Sequence, residues 1–461
     1  MELNITLKKI CPITKGRLLK GNPSFELNSF STDTRTIKKG GVFWALKGKS
    51  FDGNDFIGRA VENGASGLIC RRRGAGAETL SKISFCVEVP DTLKALHALA
   101  LSRRLKFRIP VISVTGSNGK TTAKEMIKAV LETKGPVCSN TGNFNNEFGL
   151  PFSVLELGKK HKAAVFELGA SRRGEVLELA KIIRPGAAVI TTIGPEHLEF
   201  FKSMENIFKT ETEVLQSLKG KNSPVIYNGD NEYLKRLDRR RLNRLTFGFE
   251  KGSDLLIKEE GKGFVFVFRN RKTPIKLKIP GRHNYLNAAA AFLAGLAAGV
   301  RPGAAIKALE NFKGVPMRMQ AMRIKKAEIL FDAYNANPQS MEAALSEITG
   351  RGGRYFLVLG DMKELGKYSR AYHRELGEKL RALDPAGTVL IGGEMKAAYA
   401  LLKGKKENVK YFTETGQARK EIRRLLYREK AVFLFKASRS MRFEKLLQGG
   451  GLDDWKIGGL V

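Results

Sequence analysis

A short apolar run at residues 109–115 leads straight into Gly116-Ser117-Asn118-Gly119-Lys120-Thr121, and an amphipathic stretch over residues 121–134 follows, with Met126, Ile127, Val130 and Leu131 on one side. Strand, glycine turn and helix in that order commit the chain to an α/β layer, because a strand that hands over to a helix returns to a parallel neighbour. Apolar runs at residues 163–168, 187–193 and 224–227 continue the alternation and predict a parallel sheet covered on both faces. Residues 255–279 alternate Val, Phe, Ile and Leu with charge instead, which predicts an antiparallel hairpin appended to that sheet. A helix over residues 284–298 closes the stretch.

After Gly314-Val315-Pro316 a second alternating series begins, with strands expected near residues 328–331, 355–359, 388–391, 410–412 and 431–435. The first 108 residues show a shorter version that ends in a helix over residues 92–105. The expected fold class is therefore α/β in three domains: a small α/β N-terminal domain over 1–108, a central P-loop-type parallel sheet with its hairpin over 109–313, and a Rossmann-like doubly wound domain over 314–461. The 461 residues suffice for each domain to bury a core, and 42% apolar against 28% charged residues excludes a disordered chain. Cys11, Cys70, Cys86 and Cys138 form no C-x-x-C pair, which argues against a disulfide framework or zinc ribbon and for a reducing cytoplasm. Residues 1–22 lack the apolar core of a signal peptide, and the apolar stretch 288–300 falls short of the roughly 20 residues that span a bilayer.

The net charge of +35 is spread evenly over the three segments. A nucleic-acid binder concentrates charge on one face with aromatics for stacking. The runs Arg71-Arg72-Arg73 and Arg239-Arg240-Arg241 have no aromatic neighbours and read as solvated surface, so no nucleic-acid partner is expected. Such a field steers polyanions such as nucleotides, and at most holds the protein loosely near an anionic membrane.

The glycines of Thr115-Gly-Ser-Asn-Gly-Lys-Thr-Thr122 let backbone N–H groups converge on phosphate oxygens, the following helix points its positive end at them, and Lys120 adds a full charge. The Thr121 hydroxyl suits Mg²⁺. Val114 stands where the common pattern has its first glycine, and the plain alternative is a glycine turn with a surface lysine. Polar residues at strand ends carry extra weight, since ligands of open α/β sheets bind there. Glu167 follows an apolar run and needs a partner, for which a metal is natural. His197, after Gly194-Pro195, is a ligand for the same ion or a structural loop histidine. Asn284 and Asn287 open an apolar helix and present donors and acceptors to a base or ribose, with helix capping by Asn284 as the bland reading. In Asp332-Ala-Tyr-Asn-Ala-Asn-Pro338, Pro338 is expected at the first helical position and Asn337 as the cap, which leaves Asp332 and Tyr334 for function.

These motifs together resemble the Mur ligases, ATP-dependent amide-forming enzymes of peptidoglycan precursor assembly, over essentially the whole chain. The phosphate loop, Glu167-Leu-Gly169, Ile193-Gly-Pro-Glu-His-Leu-Glu199, Gly281-Arg-His-Asn-Tyr-Leu-Asn287, Pro316-Met-Arg-Met-Gln320 and Gly360-Asp-Met-Lys-Glu-Leu-Gly366 carry the likeness in the family's order. Asn143-Phe-Asn-Asn-Glu-Phe-Gly-Leu-Pro151 and the Asp332–Pro338 segment are similar to the branch that joins D-alanyl-D-alanine to UDP-N-acetylmuramoyl-tripeptide, and imply those two substrates. The resemblance implies ATP and Mg²⁺ as cofactors. Thr115, Gly116, Ser117, Asn118, Gly119, Lys120, Thr121 and Thr122 would hold the ATP phosphates, and Thr121, Glu167 and His197 the magnesium. Asn284, Asn287, Arg318 and Asp332 would contact the nucleotide and serve catalysis with Lys120. Tyr334, Asn335 and Asn337 would meet the dipeptide. Ser31, Asp33 and Arg35 would lie in the uridine-nucleotide domain, and Asn145 and Asn146 on the same substrate. A cytoplasmic monomer is expected.

One position departs from the family pattern. Many members carry a carbamylated lysine fourteen residues after the magnesium histidine, where this chain has Glu211. Glutamate supplies similar charge, so Glu211 is expected to help hold a second Mg²⁺ without bicarbonate, and Lys209 is the candidate should bicarbonate prove necessary. The rival readings are a sister ligase that adds the third peptide residue, a folylpolyglutamate synthetase, and a basic nucleic-acid-binding ATPase. The Asp332–Pro338 segment speaks against the first two.

Overall fold

In a computed structural model, residues 3–48, 51–218, 220, 222–237, 243–261 and 263–448 are described, and Arg239, Arg240 and Arg241 lie outside them. The chain divides into two compact units, one of residues 1–113, 135–169 and 177–186, the other of 114–134, 170–176 and 187–461. The α/β class and the parallel-dominated sheets are as expected.

In the first unit a four-stranded sheet runs in the order Arg17–Lys20, Phe85–Val89, Gly67–Arg71, Val42–Trp44, with only Arg17–Lys20 antiparallel to its neighbour. The helix Thr92–Leu105 starts where Asp91 Oδ1 accepts from Leu93 N and Lys94 N, both at 3.0 Å, satisfying two otherwise orphaned amides. The Trp44 indole donates to Thr92 O at 3.0 Å and ties the sheet edge to that helix start. Arg71, Arg72 and Arg73 are exposed, and Arg71 pairs with Asp52 at 3.2 Å, as a solvated run should. The strands Val137–Ser139 and Ala163–Glu167 pair in parallel.

The second unit holds two sheets. In one, Ala187–Ile190, Pro224–Asn228, Asn243–Gly248 and Leu255–Glu260 are successive parallel neighbours, and Thr191 N donates to Thr115 O at 3.0 Å at the end of the Val111–Thr115 strand. The expected hairpin is a three-stranded meander, Leu255–Glu260, Gly263–Phe268 and Arg271–Ile275. Its second turn places Arg269 and Asn270 at φ 48° and 61°, a left-handed pair that matches strand twist but that an Arg-Asn sequence does not announce. The other sheet runs Gln320–Ile324, Ala327–Asp332, Val432–Lys436, Tyr355–Gly360, Gly387–Ile391, Val409–Phe412. All are parallel except Gln320–Ile324, an edge strand the sequence pattern did not predict. It turns back through Lys325-Lys326, with Lys325 at φ 52°, and no glycine or asparagine marks that turn. The core of this sheet is aromatic, with Phe356 and Phe433 stacked 4.7 Å apart.

The apolar segment near residue 290 is a buried helix, Arg282–Ala297, and among the described residues no helix is long and apolar enough to cross a membrane. Ala288 to Ala291 and Ala294 are fully buried, and such small side chains let neighbouring backbones approach closely. At Gly295 the approach is extreme, since a Cβ would lie 2.4 Å from Val130 Cγ1. Val130 is β-branched in a helix and has one preferred rotamer, so it cannot turn away cheaply. Gly295→Ala is therefore expected to lower stability by about 1–3 kcal/mol through overpacking, against the roughly 1 kcal/mol that alanine's helix propensity alone would add. Urea unfolding of the two proteins measures the sign, and a stabilised variant would refute the packing account.

Candidate functional site

The glycines of the loop are required by space as well as by conformation. Gly116 and Gly119 take φ 117° and 82°, and a Cβ on either would lie 2.4 Å from a polar atom, Thr191 Oγ1 for Gly116 and Asn287 Oδ1 for Gly119. Gly119 caps the Lys120–Leu131 helix, so the positive end of that helix opens at the loop. Two loop amides are already engaged: Gly116 N donates to Glu211 Oε2 at 2.6 Å and Ser117 N to Thr192 O at 2.7 Å. The Ser117 hydroxyl is clasped by Gly194, donating to its carbonyl at 3.0 Å and accepting from its amide at 2.9 Å. Thr115 Oγ1 donates to Glu211 O at 3.0 Å.

Lys120 does not reach out as a bare charge. Its ammonium donates to Gly116 O and to Glu196 Oε2, the latter at 3.2 Å. Glu196 Oε2 lies 4.0 Å from His197 Nε2, and His197 Nδ1 is hydrogen-bonded to Glu364 Oε2. A polar chain thus runs from Glu364 through His197, Glu196 and Lys120 to Gly116 and Glu211. Burial works against charge on the His197 imidazole, but the hydrogen bond to Glu364 and the carboxylates of Glu196 and Glu364 outweigh it and hold its pKa above the ordinary value. The same hydrogen bond lowers Glu364. Glu211 is fully buried, and burial pushes its carboxyl up to about 7 despite Lys120 nearby.

The second sheet brings its strand-end residues to the same loop. Asn118 Oδ1 accepts from Asn337 Nδ2 and Asn118 Nδ2 donates to Gln339 Oε1, both at 2.8 Å. Asn337 also caps the Pro338–Gly350 helix, its side chain accepting from Ser340 N at 2.9 Å with Pro338 in the first turn, as expected. Arg318 stands between Met317 and Met319, both left-handed at φ 60° and 45°, and donates to the Thr121 hydroxyl at 2.9 Å while covering the Tyr334 ring at 4.2 Å. Its Nε is buried without a partner. Asp332 is engaged by buried Lys436 at 2.6 Å and by Met319 N at 3.2 Å, so it holds the turn that displays Arg318. Asn335 is exposed and its side chain accepts from Ala336 N at 2.9 Å. Asn287 Nδ2 donates to Asn284 Oδ1 at 3.1 Å; Asn284 is not the helix cap, a position Gly281 takes. Thr122 is buried behind the loop.

The first unit carries the remaining candidates. Ser31, Asp33 and Arg35 form a tight local turn, with Asp33 Oδ2 accepting from Arg35 at 2.7 Å and that hydrogen bond holding the carboxyl at about 2. Asn146 accepts from Gly149 N at 2.9 Å at the entry to the Gly149–Leu155 helix. Asn145 Nδ2 donates to Glu167 Oε1 at 2.9 Å, while the buried Glu167 Oε2 has no partner.

Among the described residues no group of three or more His, Cys, Asp or Glu is arranged to hold a metal ion, so neither Glu167 in the first unit nor His197 and Glu211 in the second belong to a preformed cage of such side chains. The donor chemistry nonetheless fits magnesium and phosphate. Glu167 Oε2 and Glu211 Oε1 are buried carboxylate oxygens without a hydrogen-bond partner, and an oxygen-seeking cation satisfies such atoms. Sequence reasoning missed Glu196, Gln339, Glu364 and Lys436 as members of the site. Glu196 and Glu364 lay inside motifs already singled out. Lys436, buried at the end of an apolar strand, was the one with an independent signal, because a lysine there needs a carboxylate.

Three family descriptions match successive parts of the chain: "Mur ligase family, catalytic domain" over residues 26–104, "Mur ligase middle domain" over 114–295 and "Mur ligase, glutamate ligase domain" over 317–439. The chain is 35% identical over 454 residues to the UDP-N-acetylmuramoyl-tripeptide–D-alanyl-D-alanine ligase of Bacillus subtilis (strain 168), covering 96% of this chain and 97% of that protein. It is 31% identical over 456 residues to the ligase of the same name in Escherichia coli (strain K12), covering 97% and 98%. Crystal structure I of MurF from Acinetobacter baumannii superposes with a TM-score of 0.87 at 31% identity, over 96% of this chain and 97% of that one. MurF ligase from Thermotoga maritima, solved in complex with ADP, gives 0.80 at 32% identity over 91% and 96%.

Because the Glu211 carboxyl titrates near 7 in the folded protein against an ordinary 4.5, its ionisation opposes folding. The contribution is favourable below the unfolded value and is lost as pH rises through about 7. Without added metal, Glu211→Gln is expected to melt higher than wild type at about pH 8 and level with it near pH 4.5. Thermal unfolding across that window measures the difference, and a pH-independent gap would contradict it.

Proposed function

The chain belongs to the Mur ligase family, and from that premise we propose that it is an ATP-dependent, ADP-forming amide ligase that adds D-alanyl-D-alanine to UDP-N-acetylmuramoyl-tripeptide. The observation that carries the reading is the end-to-end match to ligases of that name, with the phosphate loop inside the middle-domain match and the Asp332–Pro338 segment inside the glutamate-ligase match. In the proposed division of labour residues 1–108 bind the uridine nucleotide, 109–313 bind ATP, and 314–461 complete the ATP site and receive the dipeptide.

A carboxylate is a poor electrophile. In the proposed reaction the tripeptide's terminal carboxylate attacks the γ-phosphorus of ATP, ADP leaves, and an acyl phosphate results. The amine of the dipeptide then attacks the acyl carbon, loses a proton and expels inorganic phosphate. The first step brings two anions together, so positive charge and alignment dominate the barrier. Lys120 is suited to this, since Glu196 and the Gly116 carbonyl hold its ammonium at the loop instead of leaving it to wander. Arg318 supports a second positive contact through its unpartnered Nε. Asn284, Asn287 and Asp332 are assigned to the nucleotide, Asp332 by holding the Arg318 turn. Tyr334, Asn335 and Asn337 are assigned to the dipeptide; the Asn337 side chain is shared between its helix cap and Asn118, so its contact with substrate falls to whatever geometry the bound state adopts. Ser31, Asp33, Arg35, Asn145 and Asn146 are assigned to the sugar-nucleotide substrate. Thr121, His197 and Glu211, and Glu167 on its own unit, are assigned to magnesium, which when bound screens the repulsion between carboxylate and phosphate. Glu211 in place of a carbamylated lysine makes the enzyme independent of bicarbonate.

A coupled ADP-release assay over a panel of amino acids and dipeptides tests the reading. Release is expected only with both the tripeptide nucleotide and D-alanyl-D-alanine. Release with a single amino acid points to a sister ligase, and release stimulated by nucleic acid with a steep salt dependence points to the basic ATPase. Lys120→Ala is expected to lower kcat by about 10²–10³-fold while uridine-nucleotide binding, followed by calorimetry, stays measurable. Equal loss of both would refute the division of labour.

A further inference from the structure

The Gly360-Asp-Met-Lys-Glu-Leu-Gly366 segment has no part in the reaction as described so far, yet it meets the histidine of the polar chain. It is anchored to its own sheet at three points. Met362 N donates to His373 Nε2 at 3.1 Å, Lys363 N donates to Ser438 Oγ at 2.9 Å, and Asp361 Oδ1 accepts from Met395 N at 2.9 Å. The buried His373 is fixed in turn, because its Nδ1 donates to the Ser369 carbonyl at 2.8 Å and only Nε2 is left to accept.

Beyond those anchors three features converge on residues 197–199. The Glu364 carbonyl accepts from Glu199 N at 3.0 Å. Its carboxylate accepts from His197 Nδ1. Gly366, at φ 55°, lies so close to the same stretch that a Cβ there would stand 3.0 Å from Glu199 Cα. His197 and Glu364 are themselves both left-handed, at φ 48° and 63°, a backbone state non-glycine residues adopt when their surroundings impose it. An isolated surface ion pair needs none of this.

Resting on the ligase reading, we infer that Glu364 is a positioning residue for His197: docking of the 361–366 loop on residues 197–199 fixes the imidazole so that Nε2 faces the Glu196–Lys120 pair. An ionised carboxylate only accepts, so Nδ1 carries the proton and the lone pair of the neutral ring sits on Nε2, where a ligand or partner is met. With the loop withdrawn, the ring loses its hydrogen bond at Nδ1 and keeps only the Glu196 carboxylate 4.0 Å from Nε2 and the edge-on Phe201 ring. Docking of the second sheet and readiness of the site become one event.

The test uses full-length protein labelled with ¹⁵N only in histidine, without nucleotide, at a pH above the His197 titration, which the same spectra locate, so that the ring is neutral. The chain has five histidines, and His197→Asn identifies the resonance. Wild type is expected to show His197 protonated at Nδ1. Glu364→Ala should lose that pattern to an average of both tautomers, and Glu364→Gln should keep it, because its amide oxygen still accepts. In the ADP-release assay Glu364→Ala is expected to lower kcat by about 10- to 100-fold with the KM for the dipeptide unchanged, and Glu364→Gln to restore most of the loss. A wild-type tautomer pattern or kcat in Glu364→Ala overturns the proposal, as does a Glu364→Gln variant no better than alanine. If wild type itself released no ADP with both substrates, the ligase reading would fall, and the tautomer comparison would still decide the role of Glu364.

Discussion

Lys120 is a cation held in place before any phosphate reaches it. Glu196 sits 3.2 Å from its ammonium and the Gly116 carbonyl accepts from it, so the charge points at the loop that it is meant to serve. A free lysine samples many rotamers, and fixing it on binding costs entropy at the moment when that cost slows chemistry. Holding it beforehand shifts the cost into folding. The arrangement also explains why a glutamate is tolerated at Glu196, 4% exposed beside a histidine: the lysine offsets its desolvation, and breaking such a buried pair costs more than the pair contributes.

The loop is then gripped from two directions. On its own sheet, Glu211 takes the Gly116 amide and Thr192 the Ser117 amide. From the other sheet of the same unit, Asn337 and Gln339 engage the two ends of the Asn118 amide group, and Arg318 reaches the Thr121 hydroxyl. The gripping residues come from the segments around the strands: Glu211 ends the helix Met204–Glu211, Asn337 caps and Gln339 opens the helix Pro338–Gly350, and Thr192 follows the strand Ala187–Ile190. The geometry around Arg318 shows how much backbone distortion is spent on this. Met317 and Met319 are both left-handed, and the turn is held by Asp332, which is itself pinned by buried Lys436. Removing the Asp332 carboxylate would leave a buried ammonium unpaired and release the turn together, so nucleotide contact and fold stability are not separable there.

How much of this was legible beforehand follows from the range of the interactions. The strand and helix around the loop, the cap and first-turn roles of Asn337 and Pro338, and the burial of Glu167 depend on neighbours a few residues away, and patterning reports such neighbours. Glu196 beside Lys120, Gln339 beside Asn118 and Glu364 beside His197 are separated by 76, 221 and 167 residues, and no local rule connects them. The edge strand Gln320–Ile324 was missed for a different reason. It alternates half-buried and exposed residues at a sheet margin and turns through two lysines, so neither its hydrophobicity nor its turn stands out. The meander was half-seen, because strong alternation marked the strands and an Arg-Asn turn hid the third.

The same contrast bears on where sensitivity to mutation should concentrate. Phosphate-loop glycines fail for a local reason as well as a packing one: Gly119 needs φ 82°, which a side chain resists, and a Cβ there would also meet Asn287 Oδ1 at 2.4 Å. Residues such as Glu364 and Gln339 matter only when two sheets are brought together, and their loss leaves each sheet's own core untouched, because neither side chain belongs to it. Damage at such positions therefore surfaces in turnover before it surfaces in melting temperature. A ligase that must gather a peptide carboxylate, a triphosphate and an amine has reason to place part of its catalytic order in contacts of that kind, since a site completed only on docking does not hydrolyse ATP while it waits.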